Sequence, residues 1–163
     1  MTASITLRPL AAADNAVLAR IVRDTLREFG SDKPGTAYFD HSTDHLFELF
    51  AAEPRSAYIV ATQDDTLLGG AGVYPTAGLP PTICEMVKVY LLPTARGLGL
   101  GQRLVEQCFD MAHALGYEQI YLETTPEMKK ALPLYEKLGF RYLPGPLGNS
   151  GHFGCDIWML RDV

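Results

Sequence analysis

The chain has 163 residues, of which 47% are hydrophobic, 10% aromatic and 20% charged, and its formal net charge is -5. These values are typical of a globular domain and exclude collagen-like and disordered chains. A chain of this length buries roughly 70% of the surface that its unfolded form exposes, so we predict one domain over residues 1–163. The negative charge has the wrong sign for nucleic acid or for an anionic membrane, and we expect neither as a partner.

The cysteines and the first residues favour a cytoplasmic location. Cys84, Cys108 and Cys155 are far apart and lack C-x-x-C spacing, which indicates neither a disulfide framework nor a zinc finger. Arg8 and Pro9 fall where a secretory signal peptide would carry its apolar region. We therefore expect no secretion signal and a reducing compartment.

Hydrophobic periodicity predicts a mixture of strands and helices. Strands are expected where apolar and polar residues alternate, and helices where apolar residues recur every three or four positions. In chain order the predicted elements are a strand at residues 4–10, a helix at 11–29, a short helix that begins near Ser42 or Thr43, strands at 57–62, 67–74 and 84–91, a helix at 99–115, a strand at 119–124, a helix at 128–138, and strands at 140–143 and 156–160.

The lengths of the connections predict how the strands pair. Residues 63–66 are compact enough for a hairpin loop, so the strands on either side are predicted to be antiparallel. A whole helix separates strand 84–91 from strand 119–124, which is the length that a crossover between parallel strands requires. We therefore predict an α+β fold with a mixed, mostly antiparallel central sheet, a parallel central strand pair, and flanking helices.

Three finer expectations concern strand faces, one loop and the last strand. Alternation along residues 84–91 predicts that Glu85, Val87 and Val89 lie on one face of the sheet. The connection at residues 144–154 is rich in glycine and is predicted to be either a long functional loop or a mobile one. The last strand is expected to be an exposed edge that could pair two chains into a homodimer.

One segment places glycines at the start of a helix. Residues 96–101 read RGLGLG and lie between a predicted strand and a predicted helix. Alternate glycines permit positive φ, and free N–H groups at the positive end of a helix bind anions such as a pyrophosphate. Gln102 and Arg103 come next, so the segment lacks the lysine and hydroxyl of a P-loop, and it also lacks the third glycine of a dinucleotide fingerprint.

This segment resembles the acyl-CoA signature of the GCN5-related N-acetyltransferase (GNAT) family, in which Arg or Gln is followed by two residues, Gly, one residue, and Gly or Ala. A second block, LYEKLGF at residues 134–140, is similar to the closing helix-to-strand segment of that family. The resemblance implies the GNAT fold and acetyl-CoA as co-substrate. The residues that it implies for binding acetyl-CoA are Val89, Tyr90, Leu91, Arg96, Gly97, Leu98, Gly99, Leu100 and Gly101, with the N–H groups of the first three also facing the thioester oxygen and the pantetheine arm.

Acyl transfer to an amine also needs a base and a proton donor. An alkylamine with a pKa near ~10 is protonated at pH 7, so a base must remove a proton before the amine attacks. The resemblance implies Glu85 as this base, with an ion pair to Lys88 as its alternative role, whereas Glu123 is the alternative base or an anchor for the amine. Tyr135 matches the tyrosine that protonates the departing thiolate, and core packing is its alternative role.

We predict an N-acetyltransferase that moves an acetyl group from acetyl-CoA to a primary amine of a small molecule, by direct attack in a ternary complex and without a metal. Glu123, Asn149 and His152 are the predicted acceptor-binding residues. Met128 stands where many family members carry an asparagine that contacts the cofactor.

Three other functions stay open at this point. The chain could acetylate protein N-termini or lysines, or it could be a sensor that binds acyl-CoA without catalysis. The third is a metal or cysteine hydrolase that uses His41, His45 or His152 with Cys155.

Overall fold

A computed structural model of the chain describes residues 4–163, without the side chain of Lys129. The segment predicted to lack a secretion signal therefore begins outside the described residues. The helices and strands are β1 (Thr6–Pro9), α1 (Asn15–Glu28), α2 (Leu46–Ala51), β2 (Ala57–Gln63), β3 (Thr66–Tyr74), β4 (Ile83–Leu91), α3 (Leu100–Ala114), β5 (Gln119–Thr124), α4 (Leu132–Lys137), β6 (Arg141–Leu143) and β7 (Ile157–Asp162). Among residues 4–163, no helix combines the length and the apolar character needed to cross a membrane.

The strands form one seven-stranded sheet in the order β1-β2-β3-β4-β5-β7-β6. Every neighbouring pair is antiparallel except β4 and β5, which are parallel. The predicted fold class is thus confirmed. The expectation that the last strand is a sheet edge is wrong, because β7 lies between β5 and β6 and both of its edges are paired.

The two faces of the sheet carry separate cores. Leu104 and Cys108 of α3 pack against one face, in a cluster that includes Ile120 of β5. Leu18 of α1 packs against the other face, in a cluster that includes Val60 of β2. The apolar residues of α1 and of α3 recur at helical spacing, so each amphipathic helix buries its apolar stripe on the sheet.

The parallel pair β4–β5 is short. It contains only three residue pairs, which end at Glu85 opposite Tyr121. Beyond these residues the two strands diverge while both continue to pair with their other neighbours. The result is a gap in the middle of the sheet, at the carboxyl ends of two parallel strands.

A bulge interrupts β4 just after this point. The register between β3 and β4 shifts near Gly70 and Gly72, and Lys88 adopts the left-handed region with φ 54°. Val87 therefore packs with the cluster on the α1 face, whereas Val89 packs with the cluster on the α3 face. The prediction that Val87 and Val89 share a face is wrong, because the extra residue reverses the alternation.

The predicted helix at 128–138 consists of two parts. Residues Pro126–Ala131 form a 3-10 segment with irregular angles at Met128 (φ -92°, ψ 22°), and α4 follows it. Pro133 lies in the first turn of α4, where its missing N–H removes no helical hydrogen bond. The proline therefore sets the start of a short helix instead of bending a long one.

Candidate active site

Two adjoining cavities lie along β4, and the smaller of them occupies the gap between β4 and β5. The larger has a volume of about 540 Å³ and extends to the glycine segment and α3. The smaller has a volume of about 110 Å³ and extends to Glu85, Glu123 and His152. The residues that line both cavities are Val89, Tyr90, Met128, Ala131 and Tyr135.

The glycine segment opens toward the larger cavity. Gly97 and Gly99 have φ of 79° and 75°, and Gly99 is the residue that precedes α3. Among the described residues, the N–H groups of residues 97–101 donate to no backbone oxygen. Free amides at the positive end of a 15-residue helix can bind an anion, and the sequence-based assignment of a diphosphate to them stays a prediction.

The environments of three side chains in the glycine segment differ, namely those of Arg96, Leu98 and Leu100. The Arg96 guanidinium donates to both carboxylate oxygens of Glu28, at 2.7 and 3.1 Å, and to the Leu91 carbonyl at 3.2 Å. The Leu98 side chain is 64% exposed, whereas Leu100 is buried in the core. Only the backbone amides of these two leucines can therefore contribute to an anion site.

The edge of β4 that faces the gap exposes backbone groups. The Leu92 N–H donates to the Leu68 carbonyl of β3 at 2.8 Å. Because alternate residues of a strand direct their N–H groups to opposite edges, the amides of Val89 and Leu91 face the gap. Tyr90 directs its amide toward β3 and contributes its side chain to both cavities.

Glu85 has the environment of a base. It is 4% exposed, and Thr76 Oγ1 donates to its Oε1 at 2.5 Å. Burial is the main reason that its pKa is raised to about 7, and the nearby carboxylate of Glu123 raises it further. A carboxyl group with such a pKa can accept a proton at neutral pH and release it again.

Glu123 and His152 lie beside Glu85. Tyr121 donates to Glu123 Oε2 at 2.7 Å, and Ser150 donates to Oε1. One carboxylate oxygen of Glu85, one of Glu123 and one ring nitrogen of His152 all lie within 4.8 Å of one another. The sequence-based choice of Glu85, Glu123 and His152 for one site therefore agrees with their positions.

Asn149 is the predicted acceptor residue that the fold does not bring to this site. It lines neither cavity, and its N–H donates to the Ala77 carbonyl at 2.6 Å. This bond ties the 144–154 loop to the connection between β3 and β4. The Asn149 backbone therefore helps to hold the loop in place, and the acceptor-binding role of its side chain stays a prediction.

Two charged residues at the site were missed by sequence reasoning. Asp40 Oδ2 lies 2.5 Å from His152 Nε2 and 3.6 Å from Lys88 Nζ. Burial opposes the ionisation of Asp40, but the hydrogen bond and charge of His152, together with the charge of Lys88, give it a lowered pKa. No motif marks Asp40, because it belongs to an irregular loop; the Lys88 ammonium was expected to pair with Glu85 instead.

Tyr135 lies at the boundary of the two cavities. It is 8% exposed, and its ring makes an edge contact with Phe140 at a centroid distance of 5.7 Å. Burial raises the pKa of its hydroxyl to about 12. The phenol therefore keeps its proton at neutral pH and can donate a hydrogen bond at the boundary of the two cavities.

The geometry gives no support to hydrolase alternatives that rest on His41, His45 or Cys155, whereas His152 belongs with Glu85 and Glu123 to a group of side chains that could hold a metal ion. His41 and His45 lie side by side with ring centroids 4.8 Å apart, but they belong to no cluster of three metal-ligating side chains among the described residues. Burial raises the pKa of the Cys155 thiol to about 12, so it is not a thiolate at neutral pH. His152 is bound to Asp40 and is not arranged as the base of Cys155.

Solved acetyltransferases share this architecture. An acetyltransferase of the GNAT family from Staphylococcus aureus Mu50 superposes with a TM-score of 0.84 at 16% identity, over 98% of this chain and 99% of that one. The structure of yncA from Salmonella typhimurium, determined with acetyl-CoA, superposes with a TM-score of 0.75 at 19% identity, over 97% and 93% of the two chains. The divided seven-stranded sheet is thus an acetyltransferase fold.

The sequence itself identifies the family. Residues 19–140 match the family described as "Acetyltransferase (GNAT) family". The protein named "Uncharacterized N-acetyltransferase YjgM" from Escherichia coli K12 is 37% identical over 159 residues, which cover 96% of this chain and 94% of that protein. The chain therefore belongs to the GNAT acetyltransferase family.

Proposed function

We propose that this protein is a cytoplasmic N-acetyltransferase that transfers an acetyl group from acetyl-CoA to a primary amine of a small molecule. One observation carries the proposal. The free amides of the glycine segment and the Glu85 cluster lie on two cavities that share Tyr135 as a wall. An anion site and a base are therefore joined by a proton donor.

The larger cavity fits the co-substrate. The amides of residues 97–101 would hold the diphosphate, and those of Val89 and Leu91 would pair with the amide groups of the pantetheine arm, as a strand does. Acetyl-CoA supplies the thioester carbonyl that the amine attacks. Met128 lines both cavities, so its flexible thioether can pack on the arm where many relatives carry an asparagine.

Glu85 is the proposed base, and Tyr135 is the proposed donor to the leaving thiolate. The pKa of about 7 leaves a large fraction of Glu85 ionised at neutral pH, while the pKa of Tyr135 of about 12 keeps the phenol protonated. Glu123 is the alternative base, but Tyr121 and Ser150 occupy its two oxygens, which favours an anchoring role. None of these steps requires a metal.

The size of the smaller cavity favours a small acceptor over a polypeptide. The loops at residues 31–45 and 144–156 meet above it, where the Gly154 N–H donates to the Gly35 carbonyl at 2.9 Å. This cavity is open to solvent and has a volume of about 110 Å³, less than the roughly 150 Å³ of an engineered cavity that accommodates benzene. A slender amine fits this space more readily than a peptide with its backbone on both sides of the acetylated group.

Thiol release from acetyl-CoA tests the proposal. The purified chain is assayed with a panel of primary alkylamines, diamines, amino acids, an aminoglycoside, and peptides that present a free N-terminus or a lysine. We expect turnover with at least one small amine and little with the peptides. Preference for a peptide would replace the small-molecule acceptor by a protein, and CoA binding without turnover on any amine would indicate a sensor.

A further inference from the structure

A histidine and an aspartate from two distant loops meet at the rim of the smaller cavity. His152 Nε2 and Asp40 Oδ2 are 2.5 Å apart, although 112 positions separate the residues in the chain. The Asp40 side chain is 30% exposed and that of His152 is 16% exposed. The pair therefore lies between the buried cluster and solvent.

This contact fixes the orientation of the imidazole. With Nε2 bound to Asp40, Nδ1 points inward and lies 4.0 Å from Glu123 Oε1. Lys88 Nζ reaches the same oxygen of Asp40 at 3.6 Å, and Cys155 lines the cavity from the other side of the loop. His152 thus faces three carboxylates, one ammonium and one protonated thiol.

The proposed reaction leaves one proton to be removed in each turnover. The acceptor enters as an ammonium ion and leaves as a neutral amide, while the thiolate takes a single proton. A proton on Glu85 has no direct path to bulk water, because that residue is only 4% exposed. His152 is the ionisable group that lies both within 4.8 Å of the Glu85 and Glu123 oxygens and next to the more exposed Asp40.

We propose that His152, held in place by Asp40, carries the proton from Glu85 to solvent; this inference rests on the proposed acetyltransferase function. The amine N–H bond breaks and its proton binds the Glu85 carboxylate. Nδ1 of His152 then accepts that proton, and the carboxylate of Asp40 stabilises the resulting imidazolium. The imidazolium loses its Nε2 proton to water at the rim of the cavity, which leaves the ring protonated on Nδ1. Exchange of the ring proton with water then restores the Nε2–H tautomer that donates to Asp40, so the carboxylate and the imidazole return to their starting states.

The competing interpretation is purely structural. The His152–Asp40 contact joins the 31–45 loop to the 144–156 loop, and the bond between Gly154 and Gly35 does the same. A structural tie would affect folding and acceptor affinity, whereas a proton carrier affects the rate constant and can be replaced by a base from solution. The test therefore measures turnover in the presence of added imidazole.

The variants His152→Ala and His152→Gln are assayed at pH 7 with acetyl-CoA and the small amine that the wild type turns over fastest. We expect kcat to fall by about 100-fold or more, which is typical of the loss of a proton-transfer group. The KM for acetyl-CoA should stay near the wild-type value. Added imidazole should restore the rate of His152→Ala in proportion to its concentration.

His113→Ala is the matched control, because His113 is exposed near the end of α3. This variant should keep the wild-type rate and should not respond to imidazole.

Asp40→Asn tests the positioning role. The amide keeps the shape and an acceptor oxygen but removes the charge, so kcat should fall about tenfold and the acidic limb of its pH profile should move, while the melting temperature changes little. The inference is overturned if folded His152→Ala or His152→Gln keeps the wild-type kcat, or if both are slow and His152→Ala does not respond to imidazole. If CoA stabilises the wild type but no amine leads to thiol release, the result contradicts the proposed acetyltransferase function. The proposed proton transfer through His152 is then contradicted with it.

Discussion

Glu85 changes its charge in the middle of the physiological pH range, because burial and the neighbouring Glu123 raise its pKa to about 7. A carboxyl group must be ionised to accept a proton, so kcat/KM should increase with pH and level off above about 7. Glu85→Gln cannot accept a proton, and we expect it to lower turnover by about 10²–10⁴-fold and to remove this limb of the profile. A pH series of thiol release for the two proteins checks both effects, with CoA affinity as the control that should not change.

The same substitution also affects stability in a pH-dependent way. An unfolded glutamate has a pKa of about 4.3, so the raised pKa of the folded state means that the wild type loses stability as pH rises from about 4 to about 7. Glu85→Gln removes this loss. Its melting temperature relative to the wild type should therefore increase between pH 4 and pH 8, and a constant difference would show that the folded protein does not raise the pKa of Glu85.

Family motifs led to some of the single residues but not to all of them. Tyr135 belongs to the block at residues 134–140, Glu85 stands eleven positions before Arg96, and both line the same cavity. Asp40 was missed, because its partner His152 is 112 positions away and neither loop has a periodic pattern. The choice of Asn149 rested only on its place in a polar loop, and its acceptor-binding role stays a prediction.

At the scale of elements, the glycine segment offers a matched pair of variants. Gly99 has φ 75°, a conformation that costs an L-residue roughly 1–2 kcal/mol, whereas a Cβ on Gly101 would make ordinary contacts at 3.7 and 3.8 Å. Gly99→Ala should therefore lose about 1 kcal/mol of unfolding free energy and bind CoA roughly tenfold more weakly. Gly101→Ala should match the wild type in urea unfolding and CoA titration, and equal behaviour of the two variants would exclude a special conformation at Gly99.

The elements themselves were predicted well, but the bulge in β4 was not. The sequence of β4 reads ICEMVKVYL, and the adjacent apolar residues Met86 and Val87 break its alternation without locating the extra residue at Lys88. The cause lies in neighbouring strands. Gly70 and Gly72 leave room for the ring of Tyr58, a Cβ on either of them would approach that ring to 2.5 Å, and the Tyr58 hydroxyl donates to the Lys88 carbonyl at 2.7 Å.

At the scale of the whole molecule, CoA should stabilise the folded chain. A ligand at 100 times its Kd that binds only the folded state adds about 2.7 kcal/mol. For a domain of this size that corresponds to an increase in melting temperature of roughly 5–10 °C. A melting series with CoA measures it, Gly99→Ala should show a smaller shift at the same concentration, and the absence of any shift would contradict a diphosphate site at residues 97–101.

The general architecture followed from the order of elements, because the helix between strands 84–91 and 119–124 supplies the crossover connection that a parallel pair requires. The position of β7 between β5 and β6 did not follow, since β6 and β7 form a hairpin that can add to the sheet by either strand. Val163 N–H donates to the Glu118 carbonyl at 2.9 Å, so β7 stays paired with β5 to the end of the chain.

The wall shared by the two cavities also bears on how the reactants arrive. Acetyl donor and acceptor would enter between different elements, one past α3 and the other past the loops at 31–45 and 144–156. The two entry routes would be separate, so a bound acetyl donor would not block the entry of the acceptor. Both molecules could then be bound at the same time, as the proposed direct transfer in a ternary complex requires.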